Sequence, residues 1–200
     1  MKRIIAAVLS AVLVLGISAC NGGKESVPAS ADNTEVSETA AKPAPSGKDY
    51  LAGHETFEAV SADLVDGVWA DITSNTLRGD NSSPALSWAP VEGAEAYAVY
   101  MVDMSTNGFL HWKSNGITET ELPTGWAPSS DYIGAYPPEG STHVYDVYII
   151  ALRTPVERLK GGLNGQNPKM EEFIKAVDTD DAGNTGNIVA YCRLSGTFTG

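Results

Sequence analysis

Cysteine is scarce: Cys20 and Cys192 are the only two in a chain of 200 residues. One pair closes at most one bridge, so a disulfide-framework scaffold is excluded. Cationic side chains are also few, 13 Lys and Arg against 25 Asp and Glu, a formal net charge of −12. Nucleic acid is held by Lys and Arg neutralising phosphates, so this balance argues against DNA or RNA as a partner. There is no CxxC, HExxH, P-loop or helix-opening GxGxxG, and with them go the common signatures of metals, nucleotides and dinucleotide cofactors; neither a metal nor a cofactor is expected. Histidine occurs three times, at His54, His111 and His143, so any imidazole chemistry rests on very few positions. What remains is an ordinary globular composition, 42% hydrophobic and 19% charged. Its 20 Gly and 11 Pro favour strands and turns over helices.

The chain opens on Lys2 and Arg3, followed by an apolar run from Ile4 to Ile17 and the small residues Ser18 and Ala19. A basic start, an apolar stretch and a small-residue exit read as an export signal over 1–19. The run is shorter than the roughly 20 apolar residues that span a membrane. Ile17-Ser18-Ala19-Cys20 resembles the lipobox of bacterial lipoproteins. The resemblance implies that Cys20 carries lipid and that the protein is exported and anchored to the bacterial cell envelope, at the cell-membrane surface or the outer membrane. Cys192 then has no second cysteine in the chain with which to form a disulfide. From Asn21 to Asp49 the only sizeable aliphatic residues are Val27 and Val36, too few to offset the entropy of ordering the segment. Residues 20–49 therefore read as the lipidated Cys and a flexible tether.

Residues 50–200 read as one domain with its own core. It is itself acidic, with eight basic residues against 20 acidic ones. Ala96 to Val102 is nearly all apolar, as is Val144 to Leu152 apart from Asp146, and such runs predict strands covered on both faces. From Ile188 to Phe198 the pattern alternates, with Ile188, Ala190, Cys192, Leu194 and Phe198 assigned to one face and Arg193, Ser195 and Thr197 to the other. Met170, Phe173, Ile174 and Val177 recur at helical spacing behind Asn167 as cap and Pro168 as first helical residue. Pro155 to Lys160 is expected to form a short helical turn. The fold class is mainly β, an antiparallel β-sandwich-like domain with one or two short helices late in the chain.

Three segments place His, Asp, Pro and aromatic residues at strand ends: Asp80-Asn81-Ser82-Ser83-Pro84 to Trp88, Val102-Asp103-Met104 with Phe109-Leu110-His111-Trp112, and Tyr132-Ile133-Gly134-Ala135-Tyr136-Pro137-Pro138-Glu139-Gly140-Ser141-Thr142-His143-Val144-Tyr145. In this order and spacing they resemble the phosphatidylethanolamine-binding protein family, in particular its bacterial Raf-kinase-inhibitor-like branch. The resemblance runs from about Thr56 to the C-terminus and includes Leu64-Val65-Asp66-Gly67 and Leu194-Ser195-Gly196-Thr197-Phe198. It implies a small pocket for phosphate-type anions or phospholipid head groups. Asp103 matches the leading Asp of the family's Asp-Pro-Asp motif, His111 the His after it, and Phe109 an aromatic position two places earlier. Pro137 and Pro138 match the pocket prolines, His143 the second His and Tyr145 the Tyr beyond. Met104 and Ser105 depart from the motif's Pro and second Asp, the Ser105–Gly108 loop is short, and Gly186-Asn187 replaces a Gly-His.

The residues give a physical reading of their own. An imidazole beside a carboxylate is held in one tautomer, and two such rings with a Tyr hydroxyl can hold an oxyanion without Lys or Arg. That requires Asp103 and His111 to face one side of their sheet. A strict Asn107-Gly108 turn would put Met104 opposite His111, so a bulged or longer loop is expected. His54 reads as structural, Cys192 as a buried thiol, Tyr136 as a core aromatic, and Asp178 to Asp181 as a solvated turn. The leading function is a membrane-anchored binding protein for a small anion or phospholipid head group. The alternatives are an interaction module inhibiting an unidentified partner enzyme, which requires an exposed apolar or aromatic patch beside the pocket, and, less favoured, a hydrolase using the His/Asp pocket. Enzymatic activity is not expected, since no GxSxG-type nucleophile is present.

Overall fold

The computed structural model describes residues 47–200. The export signal, Cys20 and the tether as far as residue 46 lie outside the described residues. The elements follow in the order β1 (Ala59–Val60), β2 (Leu64–Val65), β3 (Val68–Trp69), β4 (Leu86–Trp88), β5 (Ala96–Asp103), β6 (Phe109–Ile117), β7 (Glu121–Leu122), β8 (Thr142–Leu152), α1 (Met170–Lys175) and β9 (Ile188–Thr199). Among the described residues, no helix is long and apolar enough to cross a membrane.

The strands form a small sheet in the order β1-β4-β7 and a six-stranded sheet in the order β2-β3-β9-β8-β5-β6. Pairing is antiparallel except between β3 and β9, where Val68 pairs with Thr197 in parallel. One core lies between the sheets: Ala59, Leu86, Trp88 and Leu122 of the small sheet meet Val99, Met101, Trp112, Val147 and Leu194 of the large one. A second core covers the far face, where Tyr100, Tyr148 and Ile150 pack beneath Leu51, Val156, Leu159, Met170 and Ile174. Every residue of β5 is therefore buried, as its unbroken apolar run predicts. Burial contributes about 1.5–3 kcal/mol for each large aliphatic side chain removed from water.

Three local expectations change. Ala151 pairs with Ala190 but Leu152 with Ile188, so Val189 is an extra residue in β9. The bulge reverses the alternation, and Ile188 joins the far core while Cys192, Leu194 and Phe198 face the sandwich core. Pro155 to Lys160 forms no helical turn; Val156 and Leu159 instead anchor an irregular strap over the far face. Asn167 does not cap α1, whose N-cap is Lys169 with no side-chain cap bond. Its carboxamide is buried and spent elsewhere, donating to the carbonyls of Gly108, Gly162 and Gly165 and accepting from the Gly162 N–H.

The polar break in β8 has a partner. Asp146 is fully buried and accepts from Arg193 Nη2 at 2.6 Å and Nε at 2.9 Å. Burial pushes the Asp146 carboxyl upward, and the guanidinium pulls it back. The same Arg193 lies 3.9 Å from Asp49, whose carboxylate also accepts from the Tyr191 hydroxyl at 2.7 Å. Tyr50 stacks on Tyr148 with ring centroids 5.8 Å apart, and Lys48 pairs with Glu171 at 2.6 Å. Thus Lys48 and Asp49 are fixed to the domain. Replacing Arg193 with Met would strand a buried carboxylate, and we expect a loss of about 3–5 kcal/mol in urea unfolding. The Asp146→Leu/Arg193→Met double variant should recover most of it; a double variant as unstable as the single one would refute this account.

Candidate binding site

The site is built on one row across the large sheet. Phe109 of β6 pairs with Asp103 of β5, Asp103 pairs with Tyr145 of β8, and Tyr145 pairs with Gly196 of β9. Paired residues point to the same face, here the sandwich side, where Tyr145 is part of the core. His143 lies two residues before Tyr145 on that face. At Gly196 a Cβ would sit 2.7 Å from Trp69 Nε1, so the row ends where the indole crosses to donate to the Tyr145 carbonyl at 3.2 Å.

His111 lies two residues after Phe109 and shares its face, and a bulge follows. Val102 pairs with Leu110 and Met101 with Trp112, leaving His111 as the extra residue. The connection from Met104 to Gly108 is longer than a two-residue turn, which is the expected longer loop; Asp103 lies opposite Phe109, and the bulge sits within β6 instead of the loop. The bulge turns His111 and Trp112 toward the same side. The His111 ring centroid lies 4.8 Å from that of Phe109 and 5.1 Å from that of Tyr145. The free edge of β6 is covered by residues 131–133. The Lys113 N–H donates to the Asp131 carbonyl at 2.9 Å and the Ile133 N–H to the His111 carbonyl at 2.8 Å. His111 Nδ1 then bonds the Ile133 carbonyl at 2.8 Å.

The loop is held from behind. Gly108 has φ +67°, and a Cβ there would meet the Asn167 carbonyl oxygen at 2.5 Å, so only glycine allows this close approach. The Asn167 N–H donates to the Gly108 carbonyl at 3.0 Å. Ser105, which occupies the second-Asp position of the family motif, has a structural role: its N–H donates to Asp103 Oδ1 at 2.8 Å, and its hydroxyl accepts from the Val144 N–H at 2.9 Å.

These elements enclose a cavity of about 360 Å³. Asp103, Phe109, His111, Pro138, His143 and Tyr145 line it together. Pro137 is buried behind the wall and does not line it. Sequence reasoning missed Asn75, Thr106, Ile133 and Asn164, which also contribute. Asn164 carried one legible signal, an asparagine in a Gly-rich stretch, and it adopts φ +58°. Tyr136, read as a core aromatic, is 70% exposed at the rim. Asn187 takes no part: it is buried and accepts from the Thr154 N–H and hydroxyl while donating to the Thr154 and Val177 carbonyls. The carboxylates of Asp178, Asp180 and Asp181 accept backbone N–H groups of their own and neighbouring loops.

The electrostatics are set by burial. Asp103 Oδ2 accepts from His143 Nδ1 at 2.7 Å, with the carboxylate 5% and the imidazole 20% exposed. His111 is 4% exposed, and loss of hydration lowers its proton affinity, against smaller opposing pulls from the Ile133 carbonyl and Asp103. Burial, then the Asp103 charge, pushes the Tyr145 hydroxyl well upward, so it stays protonated and able to donate. No Lys or Arg lines the cavity.

A sandwich of this topology matches a known family. The sequence profile described as phosphatidylethanolamine-binding protein matches residues 62–190, and the chain belongs to that family. Among solved structures, YBCL of E. coli, described as a new member of the mammalian PEBP family, is 21% identical; the match covers 72% of this chain and 98% of that one with a TM-score of 0.52. CT736 of Chlamydia trachomatis D/UW-3/CX, named as a homologue of the same family, is 19% identical, with 73% and 99% covered and a TM-score of 0.51. At these identities the likeness is one of fold. No curated protein sequence matches the chain.

The lowered His111 value has a stability consequence. The unfolded chain binds a proton at about pH 6.5 that the folded state resists, so stability is lost as pH falls through and below that value. Urea unfolding at pH about 7.5 and about 5.5 should show a drop for wild type and a smaller one for His111→Phe. An equal drop in both would mean that His111 is not the group held neutral by folding.

Proposed function

We propose that this protein is a non-catalytic binding domain of the bacterial Raf-kinase-inhibitor-like type, whose cavity receives phosphate-type anions or phospholipid head groups. The supporting observation is the convergence of Asp103, His111, His143 and Tyr145 on one cavity without any Lys or Arg. The Asp103 carboxylate orients the His143 ring through Nδ1, which leaves Nε2 to meet a ligand. Protonated, His143 is a charge-assisted donor; the Tyr145 hydroxyl is a neutral one. Such a set suits weak binding of a small anion, and the net charge of −12 opposes anions at long range. Titration with inorganic phosphate or phosphoethanolamine should perturb ligand signals with wild type, and His143→Ala should weaken binding about tenfold or more. Unchanged affinity in that variant would discard the reading.

We further propose export and anchoring through lipid on Cys20, on the strength of the signal-like residues 1–19. Cells fed labelled palmitate should incorporate it into wild type and not into Cys20→Ala, which should leave the membrane fraction. Labelled Cys20→Ala protein in that fraction would refute anchoring at this residue. A second reading, inhibition of a partner enzyme, is favoured by one observation: Tyr136 stands exposed beside the cavity mouth, as such a partner surface requires.

A further inference from the structure

The two ring nitrogens of His111 are used differently. Nδ1 lies 2.8 Å from the Ile133 carbonyl oxygen, which can only accept, so in the neutral ring Nδ1 carries the proton and Nε2 the lone pair. The Gly134 backbone also interacts with the ring, no bond to Nε2 comparable to that of Nδ1 is formed with a described residue, and the ring lines the cavity. Tyr145, whose hydroxyl is the cavity's neutral donor, lines it as well. Both oxygens of Asp103 are already engaged, Oδ1 by the Ser105 N–H and Oδ2 by His143. Facing a ligand are therefore donors at Tyr145 and, when protonated, His143, and an acceptor at His111.

An anion with no proton of its own can satisfy the donors but must set an oxygen lone pair against that of His111 Nε2. A ligand with an O–H or N–H satisfies all three. Burial of the ring reinforces this, since it resists the second proton that would convert Nε2 into a donor. We propose that His111 is the specificity-determining residue of the cavity, selecting through Nε2 an oxyanion that brings its own hydrogen-bond donor over donor-free anions such as sulfate or simple phosphodiesters. The donor is either the P–OH of a protonated phosphomonoester or the ammonium of a zwitterionic head group. The inference rests on the reading of the cavity as an anion site and adds what that site discriminates.

Ligand-observed competition at pH about 6, where phosphomonoesters keep a proton, tests it. Phosphate and phosphoethanolamine should bind wild type, with sulfate and dimethyl phosphate at least about tenfold weaker. Phosphocholine, which has P–OH and no N–H, and glycerophosphoethanolamine, which has the reverse, tell the two donor sources apart. In His111→Gln, whose carboxamide can turn either an N–H or a C=O to the ligand, sulfate should come within about threefold of phosphate. Spectra of ¹⁵N-histidine protein with phosphate bound should show His111 Nε2 as an unprotonated acceptor, a readout that does not depend on any variant. Sulfate equalling phosphate in wild type, full selectivity surviving in His111→Gln, or a protonated Nε2 would each overturn the inference and leave the anion site standing. Failure of every anion to bind would overturn the anion-site reading itself.

Discussion

One additional residue in β6 constrains everything that happens at the end of the central strands. Without it, the alternation of Phe109, Leu110, His111 and Trp112 would put His111 and Trp112 on opposite faces of the sheet. With it, the imidazole stands beside Phe109 and Tyr145 while Trp112 stays in the sandwich core. The irregularity is held from two sides. Residues 131–133 bond the outer edge of β6 beside the bulge, and Asn167 fastens the loop at Gly108. Each contact is a hydrogen bond worth on the order of 1 kcal/mol net, so the position of His111 depends on their sum.

Two carboxylates interrupt otherwise apolar strands, and the domain treats them differently. Asp146 faces the far core, fully buried against the guanidinium of Arg193, and serves cohesion. Asp103 faces the sandwich side, nearly as buried, but its partner is the part-exposed imidazole of His143. The first pair is sealed within the core, whereas the second borders the cavity, where a ligand can reach it.

Much of this was legible in the sequence. The both-face burial of β5 and most of β8 follows from apolar runs that only Asp146 interrupts, whereas Asp103, His111, His143 and Tyr145 stand out through their match to the family's motifs. The need for a bulged or longer loop follows from parity together with that family pattern. Less legible were features that depend on which chain segment passes nearby. Ile133 contributes a carbonyl that any residue would carry, so nothing in its identity marks it. Asn167 has the composition of a helix cap but is drawn instead to three glycine carbonyls. Tyr136 is aromatic, and only the path of the chain past Ala135 decides that it faces solvent. The extra residue at Val189 left no compositional trace, and the face of Ile188 was misassigned for that reason.

The segment from Lys48 to Leu51 adheres to the helix-covered face of the large sheet, through Glu171, Tyr148, Tyr191 and Arg193. The cavity opens on the other face. Tension applied along the start of the domain is thus received by an ion pair, a stacked ring and a buried guanidinium.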